Sequence, residues 1–163
     1  AGEAAVAGNT VVIKDLFETL RKFSQASPQF NKELRKVAYT IAKDLQSSVR
    51  IEAGTVSRAS QAIQVAKGLR AKNDRIPTIS LRGKEPFISK SRPNSRRKKP
   101  VTRADVFFGA EFGGGVKPKT KQFLRHRGQS GYFFWPTVRK RKNEIAKQYL
   151  EGMDRVVKEL GIG

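Results

Sequence analysis

The chain contains no cysteine, which excludes disulfides and thiolate metal sites and fits a reducing compartment. It has one histidine, His126, so an imidazole-based metal site would lack a second ring. No apolar run approaches the ~20 residues that a membrane helix needs. The opening Ala1–Gly8 is small and nearly neutral, unlike a signal peptide. Acids are scarce: 14 Asp and Glu face 34 Lys and Arg, a net charge of +20. Self-repulsion of that size opposes compaction and draws in polyanions. Only 37% of the 163 residues are hydrophobic, so part of the chain is expected outside any core.

The excess charge is uneven. Residues 1–75 carry a net +6, residues 76–127 carry +11 and residues 128–163 carry +3. Within residues 82–103 nine cations (Arg82, Lys84, Lys90, Arg92, Arg96, Arg97, Lys98, Lys99 and Arg103) accompany one acid, Glu85. This stretch has no apolar periodicity and is rich in Ser and Pro. It reads as a long loop or arm, a kind of segment that is functional or disordered when it occurs in a compact domain. Such an arm lies along phosphates or along an acidic neighbouring subunit, and its composition leaves both open. Phe87 is its single aromatic residue, so base stacking is poorly supported.

Periodicity organises the rest. Residues 1–9 read as a flexible lead, and 10–163 as one domain carrying the arm. Val11-Val12-Ile13 suits a short extended piece. Asp15 and Glu18 have capping-box spacing ahead of Leu16, Phe17, Leu20 and Phe23. Ser27-Pro28 starts a second helix, with Phe30, Leu34, Val37, Ala38, Ile41 and Leu45 as its stripe, expected to run to Ile51 and to be interrupted at Gly54. Val56, Ala59, Ile63, Ala66 and Leu69 resume helical spacing up to Asn73-Asp74, and Thr78–Leu81 suits a strand. From Ala104, Val106, Phe108, Ala110 and Phe112 alternate with Asp105, Phe107, Gly109 and Glu111, which predicts a strand. Residues 122–126 and 132–135 are the next strand candidates. Pro136 then opens a last helix bearing Val138, Ile145, Tyr149, Met153, Val156 and Leu160, stopped by Gly161. The expected fold class is α+β, with helices flanking a small, mainly antiparallel sheet and a long basic arm.

Catalytic signals are missing. Gly113-Gly114-Gly115 lacks the Gly-Lys-Ser/Thr ending of a phosphate loop. Asp105 and Glu111, placed on one strand face, would stand about 20 Å apart, too far for paired acid–base work. No nucleophile has a base partner. The chain therefore reads as a non-enzyme without cofactor or metal. Two further groups stand out. Arg139, Lys140, Arg141 and Lys142 sit early in the last helix, where cations oppose the macrodipole. They are expected to meet acidic groups of a neighbour or DNA, or to form a face that a strong core tolerates. Phe108, Glu111, Phe112, Tyr132, Phe134 and Trp135 are expected in the core or at a subunit contact, with nucleic-acid stacking as the competing reading. Strand alternation would put Tyr132 and Phe134 on one face and Phe133 and Trp135 on the other.

The residues Phe108-Gly109-Ala110-Glu111-Phe112-Gly113, His126-Arg127-Gly128, Gly131-Tyr132 and Trp135-Pro136-Thr137 carry a resemblance across residues 10 to 160. The chain resembles the neck or tail-completion proteins of long-tailed bacteriophages, most of all those of phages that infect actinobacteria. In that family the Glu-Phe-Gly piece ends a sheet strand and the Pro opens a packed C-terminal helix. The resemblance implies a structural virion protein made in the host cytoplasm. It would form a homo-oligomeric ring, expected to be six-fold, between the head and the tail tube. Its partners would be other neck and tail-tube proteins, with non-specific contact to phage DNA and none to a membrane. A tail terminator of the same neck is the near alternative. A basic nucleic-acid-binding module, such as a ribosomal protein, is the alternative from another class. The insertion at 82–103 departs from the family pattern.

Overall fold

The computed structural model describes residues 4–7, 10–13, 15–57, 59–87, 100–115 and 122–163, with side chains from residue 15 onward. The fold class is α+β. Its elements are β1 (Ala4–Ala7), β2 (Thr10–Ile13), α1 (Leu16–Ala26), α2 (Pro28–Thr55), α3 (Ala59–Lys67), β3 (Leu69–Lys72), β4 (Thr78–Leu81), α4 (Arg103–Phe112), a 3₁₀ turn (Gly128–Ser130) and α5 (Phe134–Leu160). β1 pairs antiparallel with β2, Ala4 opposite Ile13 and Ala7 opposite Thr10. A paired strand thus stands at Ala4–Ala7, where the sequence reads as a lead. β3 pairs with β4 in a second two-stranded sheet, and the short connection 73–77 leaves only antiparallel pairing open. Among the described residues no helix is long and apolar enough to cross a membrane.

The chain divides into two compact units, and α2 and α5 each contribute to both. The first comprises residues 1–44, 71–78 and 139–163. Its core gathers Leu20 of α1, Phe30, Leu34, Ala38 and Ile41 of α2, and Tyr149, Val156 and Val157 of α5. The α2 stripe falls as the spacing predicts, because residues three and four apart share a helix face. A Cβ on Gly152 would collide with Val37, so α5 and α2 touch through a backbone that only glycine provides. Tyr149 donates its hydroxyl to the Arg75 carbonyl at 2.6 Å, tying α5 to the β3–β4 connection.

The second unit comprises residues 45–70 and 79–138. Its core is rich in small residues: Ala53, Ala62, Ala66 and Ala110 join Val49, Val65, Leu69, Val106 and Phe133. Gln46, itself buried, donates to the Leu69 carbonyl at 2.5 Å.

Several expectations are corrected. Asp15 adopts a left-handed backbone (φ 59) and makes no side-chain cap bond, because capping needs an extended Ncap residue. Glu18 pairs instead with Lys22 at 3.0 Å. Phe17, expected on the apolar stripe, is exposed. Gly54 does not interrupt α2, which continues to Thr55. A Cβ added at Gly54 would meet nothing within 4 Å, so no close contact requires glycine there, and its cost of about 0.5–1 kcal/mol is offset by the buried Val49 and Ala53 beside it. The helix expected up to residue 74 ends at Lys67, and Leu69 buries its side chain from a strand instead.

The largest correction concerns residues 103–112, which form α4 and not a strand. Val106 and Ala110 are buried four apart, so period 2 and period 3.6 both fit this stretch. The tie is broken at its start. The Thr102 hydroxyl accepts from the Asp105 N–H while the Asp105 carboxylate accepts from the Thr102 N–H at 2.8 Å, a reciprocal capping box. Residues 122–126 and 132–135 are not strands either. The first is irregular, and the second leads into α5.

Candidate assembly surface and the root of the basic arm

The second unit is organised around one buried carboxylate. Glu111, on the last turn of α4, is completely buried. Its Oε2 accepts from the N–H groups of Phe133 (3.2 Å) and Phe134 (2.9 Å), and its Oε1 accepts from Trp135 N–H (2.9 Å). These are orphan donors at the start of α5. Pro136 has no N–H, and the Thr137 N–H already reaches the Phe133 carbonyl at 3.4 Å. Every backbone donor in the opening of α5 is therefore accounted for. Negative charge here also complements the helix macrodipole. Pro136 lies inside the first turn, two residues after the helix begins at Phe134, where proline is tolerated. Gly131 makes the approach possible: it sits at φ +71, and a Cβ there would strike Glu111 Oε1.

Other contacts gather the neighbouring loops. The Arg127 N–H donates to the Phe112 carbonyl at 2.9 Å, and the Gly114 N–H to the Leu124 carbonyl at 2.8 Å. The Tyr132 hydroxyl donates to the Arg125 carbonyl at 2.6 Å, and the Arg127 guanidinium lies 4.7 Å over the Tyr132 ring. Phe123 packs on Gly109, where a Cβ would collide with its ring. The residues that carry the resemblance, dispersed from Phe108 to Thr137, thus meet in one small region.

A chain of aromatic rings lies on this body. Phe112 stacks on Phe108 (6.2 Å between centroids) and Phe108 meets Phe107 edge-on (5.3 Å). Phe107 meets Phe134 (5.8 Å), and Phe134 meets Trp135 (5.4 Å). Phe108 is 68% exposed, and Phe112, Tyr132, Phe134 and Trp135 are half-buried. Phe133 alone of the 132–135 run is completely buried. The two-faced alternation expected for that run is replaced by a helix start, which points Phe133 inward.

The basic candidates are dispersed. Arg92, Arg96, Arg97, Lys98 and Lys99 lie outside the described residues. The arm's two ends are tied together: Pro86 bridges Thr102, the Phe87 N–H donates to the Val101 carbonyl (2.8 Å), and the Arg103 N–H to the Glu85 carbonyl (3.0 Å). Arg103 is ion-paired with Glu85 and largely covered, and among the described residues nothing accepts from its Nε. Arg139, Lys140, Arg141 and Lys142 lie in the second and third turns of α5, because the helix starts earlier than Pro136. Their opposition to the macrodipole is correspondingly weak. Arg141 bonds Glu144 at 3.1 Å, and Lys140 is exposed. That bond holds the Glu144 carboxyl below the usual carboxylate range and raises Arg141 above the usual arginine value. His126 is exposed.

Asp105 and Glu111 share a helix and not a strand, and both are committed, one to a cap and one to the α5 start. Arg50, Lys67 and Arg70, which the sequence offers only as scattered cations, line one groove with Arg103. Among known proteins, no family, no curated protein and no solved structure matches this chain.

Proposed function

We propose that the chain is a structural, non-enzymatic subunit of the neck of a long-tailed bacteriophage, forming a ring that joins the DNA-filled head to the tail. The observation that carries this reading is the aromatic chain from Phe112 to Trp135, left partly exposed on a body whose geometry is fixed by Glu111. Rings held rigidly at a surface, with Phe108 wide open, suit a contact between subunits. The residues resembling the neck family are those that build this body. A head-to-tail contact of identical subunits gives a ring when its rotation closes.

Deletion of the gene in its phage, followed by negative-stain microscopy of the lysate, tests the reading. The expected outcome is separate heads and tails, or tails lacking their upper end. Normal infectious virions would overturn it.

A further inference from the structure

A second feature of the second unit has no role in that surface. An open groove of about 540 Å³ is lined by Arg50, Lys67, Arg70, Arg103 and Glu85, and the rest of its lining is apolar. The four cations come from four elements. Arg50 sits on α2, Lys67 and Arg70 follow one another across the end of α3 into β3, and Arg103 opens α4.

Their existing bonds show how much charge is left over. Arg50 donates to the carbonyls of Ala66 (3.4 Å) and Leu69 (3.1 Å). Arg70 donates to the Lys67 and Leu69 carbonyls. These bonds orient both guanidinium groups and satisfy the end of α3, but they neutralise nothing. Glu85, the one acid among the groove's described lining residues, is taken by Arg103, with Arg82 a further 3.8 Å neighbour. Among the described residues no carboxylate pairs with Arg50, Lys67 or Arg70. Three positive charges therefore face one cavity without a counter-charge. Two of them are forks of the kind that match a tetrahedral anion.

We propose that this groove is a phosphate-binding site for a nucleic-acid backbone. One carboxylate side chain could neutralise a third of the surplus; successive phosphates on one strand supply the rest. The groove also opens at the root of the arm. Glu85 and Arg103 line it, and the twelve residues between Phe87 and Pro100 carry six cations and no acid. A backbone seated in the groove is continued by a polyelectrolyte partner, and an isolated acidic side chain is not. A neck subunit facing packaged DNA and a free nucleic-acid module could use such a groove equally.

The test is binding of a fluorescently labelled, mixed-sequence DNA duplex to the full-length protein, measured by anisotropy across a salt series. Among the described residues the Lys67 ammonium makes no hydrogen bond, so Lys67→Gln removes a charge and leaves the fold intact. Arg70→Lys keeps the charge and loses the fork. Lys32→Gln, on α2 of the other unit, is the control. Lys67→Gln should weaken binding about five-fold near physiological salt and reduce the slope of log K against log salt by about one. The same loss should appear on a background carrying Arg96→Gln, Arg97→Gln, Lys98→Gln and Lys99→Gln, since the groove acts beside the arm. Arg70→Lys should keep the slope and lose affinity. Unchanged affinity and slope for Lys67→Gln would overturn the proposal, as would an equal loss for Lys32→Gln. If Lys67→Gln weakened capture of a glutamate-rich peptide while duplex binding held, the occupant would be an acidic protein segment and the proposal would fail.

Discussion

At the scale of single residues, two buried polar groups set the terms. Glu111 joins α4 to the start of α5 through three backbone donors. Glu111→Ala leaves those donors without partners and should lower unfolding stability by about 3 kcal/mol. Glu111→Gln keeps acceptor capacity while placing an amide NH₂ among donors, and should cost less. Gly131→Ala drives a methyl into the same carboxylate from a left-handed backbone. Because Gly131→Ala and Glu111→Ala damage one contact, the double variant should cost clearly less than the two added together, measured by urea titration. Tyr149 is the second group. Burial raises its hydroxyl from 10.0 to about 12. The folded chain keeps this proton while the unfolded chain loses it, so the contribution is complete below pH 10 and disappears as pH rises toward 12. Thermal melts of Tyr149→Phe and the parent should therefore show a smaller alkaline decline for the variant across that window.

At the scale of elements, the root of the arm is a closed structure. The Pro86–Thr102 bridge and the Thr102–Asp105 capping box hold both ends in place, whatever lies between them. Replacing residues 88–99 with a short Gly-Ser linker should shift unfolding stability by no more than about 1 kcal/mol, since loop-closure entropy varies slowly with length. The same replacement should cost the protein most of its duplex binding. Thr102→Ala should destabilise by about 1 kcal/mol through loss of the cap. If the linker replacement unfolded the second unit in a denaturant titration, the root would not be self-sufficient.

At the scale of the whole molecule, a net charge of +20 must be reconciled with self-association. The aromatic chain offers a contact that is not itself charged, although Arg125 and Arg127 lie nearby in sequence. Phe108→Asp alters a side chain that is 68% exposed, so monomer stability should move by no more than about 0.5 kcal/mol. Ring assembly, followed by sedimentation and negative-stain microscopy, should be lost. The arm's partner can be separated in the same particles. Neutralising Arg96, Arg97, Lys98 and Lys99 should prevent assembly if the partner is an adjacent ring. If the partner is DNA, particles should form but hold or eject DNA abnormally.

By itself the sequence determined the α2 stripe, the α5 stripe and its stop at Gly161, because helical spacing of apolar residues is a local property. It also determined the concentration of charge at 76–127 and the absence of thiol chemistry. The alternation from Val106 to Phe112 suits a strand as well as a helix, and the reciprocal Thr102–Asp105 cap that decides between them is seen only in the structure. The packing of Phe123 on Gly109 and of Glu111 under α5 then holds that helix in the second unit. Glu111 and its donors are 22 to 24 residues apart, and Arg50 lies far from Lys67, Arg70 and Arg103 in the chain. No periodicity reports such meetings. They exist because the turns at Gly113 and Gly131, both at positive φ, return the chain onto α4, and because Gly68 lets β3 leave α3 beside Arg103. The chemistry of each group was written in its residue type, and which groups face one another was decided by tertiary structure.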